Sequence, residues 1–175
     1  MRFVIIGAGA VGSAIGGFLS QSHEVLLVGR GEHAAGMAGG LRITGILGEF
    51  DLRPESTTPA ELVSHSFLQH PIDWILLTVK SSALIEAAEL AASIAGSETG
   101  ICHIQNGLGN FETVSRIFPA HLVVSGMTIT GYEIVRPGEI GITVYGGPGK
   151  IGCMPLVNDR FGQVANRQAR QLAEF

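Results

Sequence analysis

The chain has 175 residues, 46% of them hydrophobic and only 15% charged, with a formal net charge of −4. That length suits one well-cored domain and is short for two, and the apolar content excludes a disordered or heavily solvated chain. The acidic balance excludes a nucleic-acid partner, because no basic stripe is present to displace counterions from phosphates.

The first predicted strand, Arg2 to Ile6, is a short apolar run that stops at Gly7. Gly7, Ala8, Gly9, Ala10, Val11 and Gly12 then spell G-x-G-x-x-G, and a helix is expected from Ala10 to Gln21. The spacing has a mechanical basis. The first glycine permits the tight turn out of the strand, the second lets backbone approach a pyrophosphate, and the third lets the helix pack closely. The helix start offers free N–H groups to the anion. In a chain with 25 glycines the motif alone is weak. Its place between a strand and a helix, with a second strand at Glu24 to Val28, is the context that a dinucleotide site requires.

A helical stretch from His33 to Met37 comes next, then short strands at Leu41 to Thr44 and Glu49 to Leu52, which fit a hairpin across Gly45 to Gly48. Pro54 to Ser66 reads as loop with a short helix. Trp74 to Val79 is a continuous apolar run, as in a parallel strand buried on both faces. Ser82 to Ala95 has helical periodicity, Ile101 to Ile104 is a buried strand, Asn110 to Ile117 a helix, and Leu122 to Val124 begins another strand. From Gly131 to Gly152 glycine and proline turns separate β-branched pairs, which suggests antiparallel strands. Phe161, Val164, Ala165, Ala169 and Leu172 recur at helical spacing, so the last segment reads as an amphipathic helix. It ends at Phe175 without a stop signal, and a further domain is expected beyond it. Alternating strands and helices predict an α/β, Rossmann-type doubly wound sheet, mostly parallel, with an added antiparallel segment near the C-terminus.

The residue ending the second strand separates the two nicotinamide cofactors. An acid there accepts hydrogen bonds from the ribose hydroxyls of NAD, whereas an arginine neutralises the 2′-phosphate of NADP. Arg30 stands at that place, and arginine pairs with phosphate bidentately and keeps its charge. NADP is therefore favoured, with Glu32 as the alternative ribose acceptor. Lys80 follows the Trp74 strand and Gln105-Asn106-Gly107 follows the Ile101 strand. Both fall on the carboxyl edge of the sheet, where ligands of open α/β sheets bind. Lys80 and Lys150 are the only lysines.

The remaining polar residues read as structural. His103 is expected to be a core histidine, Glu61, Glu86, Glu89 and Glu112 solvated helix faces, and Met37, Met127 and Met154 core filling. Cys102 and Cys153 lie outside any metal-ligand spacing and the six histidines are scattered, so two buried thiols and no metal are expected. The apolar stretch Val4 to Leu19 lacks a basic leader region and a cleavage site, and no stretch has a clean membrane-spanning profile. A soluble, cytoplasmic protein without membrane partner is expected.

On these residues the chain resembles the N-terminal domain of the ketopantoate reductase (2-dehydropantoate 2-reductase) family. The matching pieces are GAGAVGSAIG at Gly7 to Gly16, Gly29-Arg30, LLTVKS at Leu76 to Ser81 and QNGLGN at Gln105 to Asn110. Gly126-Met127-Thr128, Arg136-Pro137-Gly138 and Lys150-Ile151-Gly152 match as well. The resemblance implies NADPH-dependent reduction of 2-dehydropantoate to pantoate, a step toward coenzyme A. It implies that the fingerprint loop, Arg30, Lys80 and Asn106 line the cofactor site and that Tyr132 approaches its nicotinamide end.

In that family the general-acid lysine and the substrate-holding groups belong to a helical C-terminal domain. No catalytic residue is thus expected within this chain, Lys150 included, and alone it should reduce the 2-keto acid poorly. A face left bare by such a domain would favour a homo-oligomer. The alternatives are a stand-alone dinucleotide sensor and a reductase of another 2-keto acid.

Overall fold

A computed structural model describes residues 1–152 and residue 172. The expected C-terminal helix, Cys153 and Met154 lie outside the described residues, apart from Leu172, which packs into the core.

Among the described residues, six parallel strands and one antiparallel strand build the main sheet. β1 (Arg2–Ile6), β2 (Glu24–Val28), β5 (Glu55–Thr57), β6 (Trp74–Leu77), β7 (Gly100–Ile104), β8 (Val123–Met127) and β11 (Lys150–Gly152) lie in the order β11-β8-β7-β6-β1-β2-β5. Only β11 is antiparallel, pairing with β8. The chain moves outward from β1 through β2 to β5, then crosses back to β6 and continues the other way. Strand order therefore reverses between β1 and β6, which is where such sheets open a crevice for ligands. The central strands are apolar throughout because both faces are covered. Phe3, Ile5 and Leu27 belong to one core cluster, and Val4, Leu26 and Ile75 to the other.

α1 (Ala10–Leu19) covers the first face, α4 (Leu84–Ala92) and α5 (Asn110–Val114) the second. α2 (Gly31–Met37) and α3 (Pro59–Leu62) flank β2 and β5. Beyond α1 lies a smaller sheet of β3 (Leu41–Gly45), β4 (Phe50–Leu52), β9 (Gly131–Arg136) and β10 (Glu139–Val144), in the order β4-β3-β10-β9. The expected β3–β4 hairpin and antiparallel β9–β10 pair are both present, and a parallel β3–β10 pairing joins them.

Several expectations need correction. Pro54 to Ser66 contains the edge strand β5, whose polar Glu-Ser-Thr sequence hides it. The Trp74 strand ends at Leu77, because the next hydroxyl, on Thr78, turns back to the carbonyls of Ile6 and Gly7. The helix after it starts as a 3-10 turn at Ser81–Ala83 and is regular only from Leu84. Met127 is 45% exposed and does not fill the core, whereas Met37 does. His103 is a core residue, 4% exposed, as expected.

Candidate functional site at the strand-order reversal

The fingerprint glycines divide into two that packing demands and one that it does not. Gly7 has φ +107° in a loop where a Cβ would lie 2.7 Å from the Val79 backbone nitrogen. A Cβ on Gly12 would fall 2.4 Å from Thr78 Oγ1 and 2.5 Å from the Gly7 carbonyl oxygen, so α1 packs directly on the loop. At Gly9 the nearest atom to such a Cβ is the Gly7 oxygen, 3.9 Å away. The space over Gly9 is clear of the described residues, and its φ of −86° suits any residue. A backbone left bare by protein at this turn is a cradle for an anion.

The loop is held rigidly. Gly7 and Ala8 N–H both donate to the Val28 carbonyl, at 3.0 and 2.9 Å, and Gly9 N–H donates to Gly7 at 2.6 Å. Ala10, Val11 and Gly12 then open α1, whose cap residue Gly9 has no side chain to satisfy them. Among the described residues no acceptor takes their amides. Such unsatisfied donors at a helix start carry a partial positive charge.

A cleft of 570 Å³ runs from this loop between the ends of β1, β2 and β6, lined by Gly7, Ala8, Gly9, Ala10, Val11, Arg30 and Lys80. Seven of the sequence-predicted residues thus meet in one place. Gly12 lies behind the loop. Asn106 borders an adjoining hollow of 400 Å³ that shares Val11, Thr78, Val79 and Lys80 with the cleft. Gln105 braces that hollow: its Nε2 donates to the carbonyls of Leu77 at 2.7 Å and Val79 at 2.9 Å, tying the end of β6 to the loop after β7. Tyr132 lies apart from the cleft. It stands in β9 on a third groove, of 550 Å³, which meets the Asn106 hollow only at Ile104 and Thr128.

The charges are unevenly committed. Lys80 is exposed, and its ammonium has no ion-pair or hydrogen-bond partner among the described residues. Arg30 Nη2 donates to Glu86 Oε1 from the first turn of α4. Glu86 lies on a solvated helix face, as expected, and that face also borders the cleft. Sequence reasoning missed the pairing because the two residues are 56 positions apart and only the crossover from β2 to β6 brings them together.

His33 was missed too. It lines the cleft, its Nδ1 accepts from Gly138 N–H at 3.2 Å, and its Nε2 lies 3.1 Å from Ser13 Oγ. Since Nδ1 accepts, the ring proton belongs on Nε2, directed at Ser13. Burial lowers the His33 pKa, which keeps the ring neutral. The ring joins α1, α2 and the β9–β10 turn.

His103 Nε2 and Ser125 Oγ are 2.8 Å apart across β7 and β8. Burial lowers its pKa, with Gln105 and Glu112 acting the other way. Among the described residues no group of three or more His, Cys, Asp or Glu is placed to hold a metal ion, and no helix is long and apolar enough to cross a membrane.

Sheet order, glycine loop and crevice define a Rossmann-like α/β domain whose candidate site lies at the strand-order reversal. The family model described as "Ketopantoate reductase PanE/ApbA" matches residues 3–155, and the chain belongs to that family. It is 33% identical over 149 residues to the 2-dehydropantoate 2-reductase of Aquifex aeolicus (strain VF5), covering 82% of this chain and 44% of that protein. The crystal structure of 2-dehydropantoate 2-reductase from Geobacter metallireducens GS-15 superposes with a TM-score of 0.73 at 30% identity, over 97% of this chain and 56% of that one. The fold is shared with a D-mandelate dehydrogenase solved with NADH and anilino(oxo)acetate, at a TM-score of 0.80 and 24% identity over 99% of this chain and 54% of that one. The chain spans about half the length of the curated relatives it matches.

Proposed function

We propose that this chain is the NADPH-binding part of a 2-keto acid reductase that converts 2-dehydropantoate to pantoate. The observation that carries the reading is the space over Gly9, clear of every described residue, in a cleft that also holds unclaimed helix-start amides, the guanidinium of Arg30 and the unpaired ammonium of Lys80. Packing explains Gly7 and Gly12, whereas at position 9 no described residue demands a glycine, and the close approach of a pyrophosphate would. The residues present fit a dinucleotide.

Ala10 and Val11, which line the cleft, would receive the pyrophosphate through their amides. Arg30, at the end of β2, would receive the 2′-phosphate, as its charge and planar fork suit it to do. Lys80 and Asn106 line the way from the loop toward the far end of the β6–β7 edge, where they would hold ribose or phosphate oxygens. Gln105 keeps that edge in place. When bound, the reduced nicotinamide supplies the hydride. Reduction of a ketone also builds negative charge on its oxygen, which needs a placed proton donor. That step is proposed for the protein as a whole, cofactor capture for this chain, and both are expected in the cytoplasm.

The test is a fluorescence titration of the chain with NADPH and NADH, repeated with Arg30→Ala. Tighter NADPH binding that Arg30→Ala removes supports the reading. Equal affinities would shift it to an NADH-dependent reductase of another 2-keto acid. Failure to bind either would overturn it.

A further inference from the structure

Arg30 is the cleft residue placed just past the end of β2, where a 2′-phosphate would distinguish NADPH from NADH, yet it is engaged. Among the described residues its only hydrogen-bond partner is Glu86. Both side chains are well exposed, 67% and 61%, so the pair is not needed for the fold and either partner can swing away. Glu86 belongs to the first turn of α4, whose start favours a carboxylate, and it lines the same cleft as the glycine loop.

We infer that Glu86 is a specificity-determining residue: it competes with the 2′-phosphate of NADPH for Arg30 and so holds down this chain's preference for NADPH over NADH. The inference rests on the dinucleotide reading above. A phosphate monoester carries about −1.5 to −2 charges at neutral pH, against one on a carboxylate, and offers three acceptor oxygens. It therefore displaces Glu86 from the guanidinium, but at the loss of the pair and with the freed carboxylate close by. NADH has no 2′-phosphate and leaves the pair intact. The effect is one of discrimination, in which an unfavourable contact against one ligand counts as much as a favourable one toward the other.

The experiment compares the chain with Glu86→Gln, Glu86→Ala, Arg30→Ala and the Arg30→Ala/Glu86→Gln double variant. Calorimetry measures the dissociation constants of NADPH, NADH, 2′,5′-ADP and 5′-AMP. Both Glu86 variants should tighten NADPH and 2′,5′-ADP by roughly three- to fivefold, the range for release of an exposed ion pair. NADH and 5′-AMP should change by less than about twofold. In the Arg30→Ala background the Glu86→Gln gain should disappear, since coupled residues are not additive.

Unchanged NADPH and 2′,5′-ADP affinity in both Glu86 variants would overturn the inference while leaving the site standing. Equal weakening of all four ligands would also overturn it, by making Glu86 a ribose ligand. If the unmodified chain binds none of the four, the dinucleotide reading itself falls and the inference falls with it.

Discussion

Gly16 and Gly17 are neighbours in α1 and face opposite sheets. A Cβ on Gly16 would lie 2.4 Å from Leu27 Cδ2 and 2.7 Å from Ile5 Cδ1 of the large sheet, whereas one on Gly17 would lie 2.8 Å from Leu41 Cδ2 of the small one. Glycine lowers helix propensity by about 1 kcal/mol relative to alanine. Here the pair lets a single helix lie closely between two sheets.

Gly16→Val should therefore destabilise the chain by about 1–3 kcal/mol, the usual cost of overfilling a packed core. The denaturant midpoint should fall, and an unchanged midpoint would show that α1 is not wedged in this way.

Gly9→Ala and Gly12→Ala should separate binding from stability. At Gly9 the new methyl meets no described residue nearer than 3.9 Å, so the melting temperature should hold while NADPH affinity drops by about tenfold or more, a loss of about 1.4 kcal/mol. At Gly12 the methyl would fall 2.5 Å from a backbone oxygen, so the fold itself should lose about 1–3 kcal/mol. Thermal melts beside titrations check both, and equal loss of stability in the two would contradict the division.

Acid should weaken the fold through the half-buried His33 and the buried His103. His33 and His103 both have folded pKa values below the ordinary 6.5, so the folded state favours their neutral forms. Their contribution is complete above the unfolded value and is lost as the pH falls below it through the lowered folded values. Protonated His33 could no longer accept from Gly138 N–H. Urea midpoints should decline from about pH 7.5 to about pH 5, and His33→Gln should shallow that decline. A profile identical in the variant would show that His33 stays neutral or does not matter.

Cys102 is fully buried and its thiol is pushed up to about 12 by desolvation. A thiolate is the reactive form. At about pH 8 the peptide carrying Cys102 should stay unlabelled by an alkylating reagent in the native state and become labelled in urea. Mass spectrometry resolves it from Cys153, and fast native labelling would mean that the sheet opens readily.

The features legible in the sequence are those that local pattern determines. The apolar runs at Phe3, Val25, Ile75 and Ile101 reveal the parallel strands because both their faces are covered, and the glycine spacing locates the crevice beside them. β5 was hidden because an edge strand of Glu55, Ser56 and Thr57 pairs on one side only and needs no apolar pattern. Glu86 and His33 entered the site through partners 56 and 105 positions away, which no periodicity reports. Tyr132 was placed by the family resemblance alone; it stands in β9 on a neighbouring groove, whereas Ile134 of the same strand lines the cleft.

The parallel pairing of β3 with β10 has a bearing on the chain's birth. Arg42 lies opposite Glu139 and Thr44 opposite Gly141, with Thr44 bonding to a carbonyl 96 residues later. A ribosome delivers β3 and β4 long before β10, and a lone two-stranded hairpin is marginal in water. Through that interval Leu41 and Ile43 have no completed sheet to close over them, although α1 and β1 have already emerged. The nascent chain therefore passes through a stage in which its first half-domain is sticky and unsealed, the stage at which chaperones earn their place.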